Sequence, residues 1–522
     1  MADEAAPLDA PTSPGPARAA PSLGAWARRT WLQLMRRNPF DGDCRPARVP
    51  VFGVGRPSLP FPHPWNYREP LRILETFFWD AEREVGCRRH NRYLDVPGLP
   101  HVLVTRDPGI IRAVLSATSD QPGDFDRDTM PASGIARATG ADTLLYSNGA
   151  LWRRQKKLAA PSFSRSNLFQ PEKFHEFEET FRQTVLERLA VLRARQEATG
   201  EGVTRVQLEP ETQVVMLEML VNNFFGGSVA YEELRDRYVP SIVLLIDHMV
   251  SDTVGRSLRA PFRALSPKKV ALRQSAADFE ALTDIALSGR AEGRGLWGQF
   301  KSDAPDDALR SNIRVFLAGA LEATTSFAGW ALSHLSRTPE VQERVFAEVA
   351  EIDVYDPENL AQARTLNRVL EETLRLTPSL YFLPRRATVD TWVETADGRR
   401  MMIPQGTHVV LDVWHANRCE DFWGERASGY PAEAFAPDRW DVLEGKGRSA
   451  KEILHFGFGH GPRVCPGKFL GLLEVGLVVG AFVKVFRFSA VGGPTAARAG
   501  VSTKPADGVL VDLEVRPLTP TT

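Results

Sequence analysis

Hydrophobic positions recur at helical spacing over most of the middle of this chain. The pattern predicts helices at 149–160, 171–197, 210–225, 231–253, 268–288, 306–335, 339–351 and 359–376. An apolar run predicts one more helix from about 466 to 483. Strand patterns are short. Val102-Leu103-Val104-Thr105 reads as a strand, followed by Asp107-Pro108 and a helix over 109–116. Ala396-Asp397-Gly398 marks a turn between two short strands, and strand-like pieces close the chain at 484–516. The polar, Gly-rich stretch 117–148 predicts a long loop, and 415–457 reads as irregular. The fold class is mainly α with small β-sheets. No internal repeat and no second composition regime is visible. Residues 45–522 therefore read as one domain, against a length prior of about three.

The first 45 residues differ. Residues 1–22 are rich in Ala, Pro, Asp and Ser and read as a disordered leader. Residues 23–44 read as a short amphipathic helix or arm. Between 23 and 37, Trp26, Trp31, Leu32, Leu34 and Met35 are interleaved with arginines. Two readings stand open: a helix lying on an anionic membrane surface, or a helix docked on the domain. No apolar signal core follows the pair Arg28-Arg29.

Charge changes the picture mainly by exclusion. With 64 basic and 65 acidic side chains the net charge is −1, which gives no electrostatic reason to expect nucleic acid. The four cysteines, Cys44, Cys87, Cys419 and Cys465, are scattered with no CxxC pair. That argues against a disulfide framework or a zinc site and fits a reducing, cytoplasmic setting. No run of 18 or more apolar residues occurs, so no transmembrane helix is expected.

Cys465 is different in kind from the other three. It sits in Phe458-Gly459-His460-Gly461-Pro462-Arg463-Val464-Cys465-Pro466-Gly467, just before the last helical run. Glycines let a backbone approach a flat macrocycle and take positive φ. A helix N-terminus and backbone N–H groups favour a thiolate. A buried inert cysteine at a loop–helix junction is the plain alternative. The spacing Phe-x-x-Gly-x-Arg-x-Cys-x-Gly resembles the haem-ligand loop of the cytochrome P450 family.

The resemblance continues in order along the chain. Trp152-Arg153-Arg154-Gln155-Lys156 matches a Trp-x-x-x-Arg element whose cation reaches a haem propionate, with Lys156 in place of Arg. Glu372-Thr373-Leu374-Arg375, with Phe435-Ala436-Pro437-Asp438-Arg439-Trp440, is similar to the family's buried cluster, mapped here to Glu372, Arg375 and Arg439. The resemblance implies haem b with Cys465 as axial ligand to iron. Trp152, Lys156, Arg386, Phe458, Arg463 and Gly467 would hold the cofactor, and Arg385 is an alternative to Arg386. It also implies one mostly helical domain with haem between the long central helix and the helix after Cys465.

The stretch Ala318-Gly319-Ala320-Leu321-Glu322-Ala323-Thr324-Thr325 departs from the family. There an acid and an alcohol relay protons during dioxygen activation. Counting back from Trp330 and Pro339 puts Glu322 at the acid, Ala323 at the relay alcohol and Thr324 at the following residue. A second register puts Glu322 itself at the alcohol, and a helix bulge would bring Thr324 back. The catalytic candidates are Glu322 and Thr324. Pocket candidates are Ala320, Ala323, Leu380, Tyr381, Phe382 and Ser502, with an apolar region at 214–250 that includes Met249.

The activity implied is that of a monooxygenase, oxidising a small lipophilic molecule with O2. The resemblance is to a soluble bacterial-type member without a fused reductase. Electrons would come from a separate ferredoxin or flavodoxin-type donor with its reductase, met through Arg153, Arg154, Lys157 and Lys468. A monomer is expected, cytoplasmic or peripheral to a membrane. Two alternatives remain: peroxide use or rearrangement chemistry, prompted by Ala323, and a haem sensor or carrier without turnover.

Overall fold

The computed structural model describes residues 23–35, 40, 44–46, 71, 74–75, 79, 90–94, 100–117, 124–128, 143–159, 163–168, 171–200, 202–247, 269–298, 306–447 and 455–517. Outside these lie the leader 1–22, Cys87, Met249, the 129–142 part of the long loop and the end of the 231–253 helix.

The helices that frame the site are α1 Leu23–Leu34, α2 Pro108–Ser116, α3 Gly149–Ala159, α4 Pro171–Thr199, α5 Leu208–Glu218, α6 Lys269–Ala291, α7 Asp306–Arg337, α8 Pro339–Ala350, α9 Arg364–Leu376 and α10 Lys468–Val485. The long α7 is the axis of the molecule and packs on α5, α6, α9 and α10. Its Leu317, Leu321, Phe327, Ala328, Leu332 and Leu335 join Val475, Leu477, Val479, Phe482 and Val483 of α10 in the main core. Each such aliphatic or aromatic side chain contributes about 1.5–3 kcal/mol on leaving water. That composition explains why α7 is the helix long and apolar enough to cross a membrane by length and hydropathy. Among the described residues it is the one helix that passes this test, and 67% of its apolar window is buried within the fold, as in a core helix.

The strands are β1 Arg45–Pro46, β2 Asn91–Leu94, β3 Val102–Thr105, β4 Phe125–Arg127, β5 Thr204–Gln207, β6 Phe382–Ala387, β7 Thr391–Glu394, β8 Arg400–Ile403, β9 His408–Asp412, β10 Phe486–Ala490, β11 Ala497–Ala499, β12 Thr503–Pro505 and β13 Leu510–Val515. A mixed six-stranded sheet runs β1-β2-β3-β9-β6-β4. A three-stranded sheet runs β10-β13-β5, and β7-β8 and β11-β12 form two-stranded ribbons. A second core of Leu103, Ile110, Val114, Val409 and Leu411 lies between the large sheet and α2. Pro108 opens α2, and Asp107 caps it by accepting from the N–H groups of Gly109 (2.8 Å) and Ile110 (3.1 Å).

Three sequence expectations change. The 117–148 loop contains β4, which pairs with β6. The 415–457 stretch, read as irregular, holds short helices at Glu420–Trp423, Glu425–Ser428 and Arg439–Gly445. The 210–225 and 231–253 patterns pass into π-helical turns at Met219–Phe224 and Leu234–Tyr238. In α1, Leu23, Trp26, Trp31 and Leu34 are all exposed, as is Met35 just after it.

Candidate active site

The Cys465 loop is shaped by its glycines. Gly459 and Gly461 take φ of +75° and +71°, open to glycine at no steric cost. A Cβ on Gly461 would meet the Leu115 carbonyl oxygen at 2.6 Å, so the loop lies directly against the backbone of α2. The loop closes where the Cys465 N–H donates to the Phe458 carbonyl at 2.9 Å. Gly467 then caps α10. The Cys465 thiol is held up by burial, against the opposing pull of the Gly467 N–H and Lys468. Yet Cys465 keeps accessible surface. A side chain both deep and accessible faces an open space inside the fold.

Three arginines share that interior. Arg127 of β4 lies opposite Arg385 of β6 in register, so both side chains leave the same face. Burial lowers the Arg127 and Arg385 guanidinium pKa values, and repulsion from Arg127 and Arg463 lowers Arg385 further. Burial, then Arg127, lowers Arg463 to about 9. Arg463 gives one nitrogen to the Ser147 carbonyl (2.7 Å) and Asn148 Oδ1 (2.9 Å) and stacks on Trp152 at 4.4 Å. Its Nε and Nη1 are buried with no acceptor among the described residues. Such a cluster is costly unless an anion joins it.

Across the space, α7 presents a stripe of accessible positions: Phe316, Gly319, Ala320, Ala323 and Thr324, at spacings of three and four. A Cβ added to Gly319 would touch nothing within 4 Å. α7 is α-helical throughout, with no bulge. Thr324 nonetheless falls on the stripe, its hydroxyl donating to the Ala320 carbonyl at 2.8 Å. Glu322 is turned elsewhere. Its Oε2 accepts from Ser502 Oγ (2.8 Å) and its Oε1 from Lys504 Nζ (2.9 Å).

Below the loop, Glu372, Arg375 and Arg439 meet with no exposed side-chain surface. Glu372 accepts from Arg375 Nη2 (2.8 Å) and Nε (2.9 Å), from Arg439 Nε (3.2 Å) and from the Ala436 N–H (3.0 Å). Arg375 also donates to the carbonyls of Asn417, Ala432 and Ala434, and Arg439 to those of Trp423, Tyr430, Pro431 and Ala434. Asn417 donates in turn to the His455 carbonyl at 2.7 Å, which ties this hub to the start of the cysteine loop.

Several assigned positions are placed differently from their expected roles. Lys156 is exposed, and its ammonium donates to the Pro462 carbonyl at 3.2 Å beside Trp152. It braces the loop from outside. Strand alternation turns Arg385, not Arg386, toward Arg463. Ser502 is buried and spends its hydroxyl on Glu322. Tyr381 is buried and donates to the Gly500 carbonyl at 3.1 Å, while Leu380 stays exposed and Phe382 is half-buried. Three residues were given no role of their own: Arg127, Asn148 and Lys504. Asn148 joins the Arg127 N–H to Arg463 through one oxygen. Cys419, beside His90 (3.9 Å), forms the one potential metal trio among the described residues, with Asp421. There the cysteine meets Nδ1 and the carboxylate Nε2, at 3.4 Å, whereas an ion takes one nitrogen per ring.

The family model described as cytochrome P450 matches residues 280–505, a span that holds the α7 stripe, the Glu372 hub and the cysteine loop. Curated relatives extend the likeness well outside it. Cytochrome P450 734A6 of Oryza sativa subsp. japonica is 26% identical over 466 residues, 83% of this chain and 81% of the relative. The 11-oxo-beta-amyrin 30-oxidase of Medicago truncatula is 23% identical over 79% of this chain and 78% of its own length. Cytokinin hydroxylase of Arabidopsis thaliana is 25% identical over 66% of each. Likeness that persists at such low identity along most of each sequence reflects a shared architecture, and together with the family-model match it supports the cytochrome P450 family, an oxidoreductase family whose members hold haem through a cysteine thiolate, as the one this chain resembles.

Proposed function

We propose that this protein is a haem-thiolate monooxygenase that inserts oxygen from O2 into a small lipophilic molecule. The residues fit a haem. Arg463 has two buried nitrogens that need an acceptor, and the propionates of haem are a matching dianion. Cys465 supplies the sulfur, and the Gly467 N–H with Lys468 opposes the cost of its charge. Arg463, Arg385 and Arg127 would hold the propionates, with Trp152 stacked behind Arg463. Thiolate-bound haem would supply the electron push that favours O–O cleavage. The chain supplies position. Gly319, Ala320 and Ala323 bring little or no side chain to this face of α7, which would leave room for a bound molecule beside the haem. The Thr324 hydroxyl is the alcohol on that stripe, held by the Ala320 carbonyl.

The observation that carries this reading is the pairing, within one interior space, of an accessible deep thiol and Arg463's unmatched guanidinium. Replacing Cys465 with Ser tests it. The red-shifted ferrous–carbonyl absorption band of a thiolate haem should be present in the unaltered protein and lost in the variant. A band that persists would overturn the assignment.

The names of relatives, an oxidase and a hydroxylase, support oxygen insertion. Residues 45–522 would form the haem domain, preceded by the 1–22 leader and the 23–44 arm. Exposed Arg153, Arg154 and Lys157 on α3 suit an acidic electron donor of ferredoxin or flavodoxin type. The exposed apolar stripe of α1 suits peripheral contact with a membrane by an otherwise cytoplasmic protein.

A further inference from the structure

We infer that Glu322 and Lys504 form a positioning pair that seats the tip of the β11–β12 hairpin beside the open stripe of α7 and so governs how a bound molecule lies there. Glu322 acts through this contact and is not the proton carrier that its place in the sequence suggests. The inference rests on the monooxygenase reading for what occupies the open space.

Four observations carry it. The first is occupancy. Both carboxylate oxygens of Glu322 are committed, to Ser502 Oγ at 2.8 Å and Lys504 Nζ at 2.9 Å. Glu322, Ser502 and Lys504 are 6%, 3% and 8% exposed, so little water competes for them. Loss of Lys504 would strand the buried Glu322 charge, whereas Lys504 would keep Glu209 Oε1 at 4.0 Å, so the pair is hard to open from the carboxylate side.

The second is direction. At about 100° per residue, Glu322 projects about 130° from the centre of the accessible stripe. A carrier of protons to that stripe would have to break two bonds and swing around the helix.

The third is repetition. Glu322, Ser326 and Trp330 follow at intervals of four on α7, and all three hold the hairpin. Ser326 Oγ donates to the Thr503 carbonyl at 2.5 Å and Trp330 Nε1 to Thr503 Oγ1 at 3.2 Å. Glu322 is the first rung of this ladder, nearest the hairpin tip. Arg498 extends the tie by donating to Glu209 of α5 at 2.7 Å.

The fourth is what the tip touches. Thr503 N–H donates to the Ser379 carbonyl (2.9 Å), and Tyr381 to the Gly500 carbonyl. Ser379 Oγ then donates to the carbonyl of Ala323, on the open stripe itself, at 3.0 Å. Gly500–Ser502 is thus referenced to the stripe from two sides. A change in the Glu322–Lys504 contact moves a wall of the space and leaves the hydroxyl of Thr324 in place.

The test uses the full-length, haem-loaded protein as wild type, Glu322→Gln, Lys504→Met, Ser502→Ala and the Glu322→Gln/Lys504→Met double variant. The first readout is hydrogen exchange of the amides in 497–505. It should speed about tenfold in each charge variant, and no further in the double variant, because both remove one interaction. Ser502→Ala strands no charge and keeps the experiment informative if a charge variant fails to fold; its exchange should rise about threefold. The second readout is optical titration with imidazole, which reports the iron alone, and with 1-dodecylimidazole, whose tail reaches the surrounding wall. Imidazole affinity should hold within twofold, while dodecylimidazole affinity falls about tenfold in Lys504→Met. Unchanged exchange in both Lys504→Met and Ser502→Ala, or effects confined to Glu322→Gln, would overturn the inference. The ferrous–carbonyl band of the same samples reports separately on the haem reading, so failure of one is not mistaken for failure of the other.

Discussion

Two buried groups of charged side chains flank the cysteine loop, and they are built on opposite terms. In the hub of Glu372, Arg375 and Arg439, the carboxylate accepts from both arginines and a backbone N–H, and six backbone carbonyls take further guanidinium donors. In the group of Arg127, Arg385 and Arg463, Arg127 and Arg463 both repel the Arg385 charge, and Arg463 keeps two nitrogens without an acceptor among the described residues. A self-contained network fixes geometry. An incomplete one requires a ligand. The same chain thus separates a structural use of buried charge from a binding use.

The largest effect should come from breaking the complete group. Glu372→Gln leaves two arginines buried without their counter-charge and should cost about 3–5 kcal/mol, read as a lower midpoint in urea unfolding. Little change would show that the carbonyls alone suffice.

The incomplete group should respond in the opposite sense. Arg463→Met relieves repulsion in the haem-free protein, so its unfolding free energy should shift by less than about 1 kcal/mol. Haem retention should suffer instead, by about 1.5–3 kcal/mol or 10–100-fold, measured as faster transfer to an acceptor protein. Equal retention would break the comparison.

Glu474 of α10 is a third kind of buried charge. Burial raises its carboxyl from 4.5 to about 8, and its Oε1 has no hydrogen-bond partner among the described residues. Between those values the native state holds a proton that the unfolded chain has released. This contribution to stability is complete below about 4.5 and disappears as pH rises through about 8. Unfolding free energy should therefore fall by about 1.4 kcal/mol from pH 6 to 7, and Glu474→Gln should remove that slope.

The smallest effect separates neighbours. Arg386→Ala should change haem retention by less than about 0.5 kcal/mol, whereas Arg385→Ala should lower it clearly.

That last pair shows where sequence reading stops. The loop around Cys465 was legible because its glycines carry backbone demands that few other residues meet. Glu372 and Arg375 were legible because a spacing of three puts both on one helical face. Arg385 against Arg386 depends on the phase of a strand, and one residue reverses the face. Lys504 sits 182 residues from Glu322, and nothing local announces their meeting. The helices within 415–457 are too short, at four to seven residues, for any periodicity to emerge. The α7 stripe was misjudged for a different reason. Sequence register compares single positions, but a helix exposes an arc, and Ala323 and Thr324 share it.

Gly461 rests against the Leu115 carbonyl with no side chain between. Where main chain abuts main chain, no rotamer can absorb a displacement. The height of the sulfur above its helix is therefore gauged by a segment about 350 residues earlier in the chain, like a shim under a bearing. Anything that lifts the end of α2 would tilt the sulfur by the same amount.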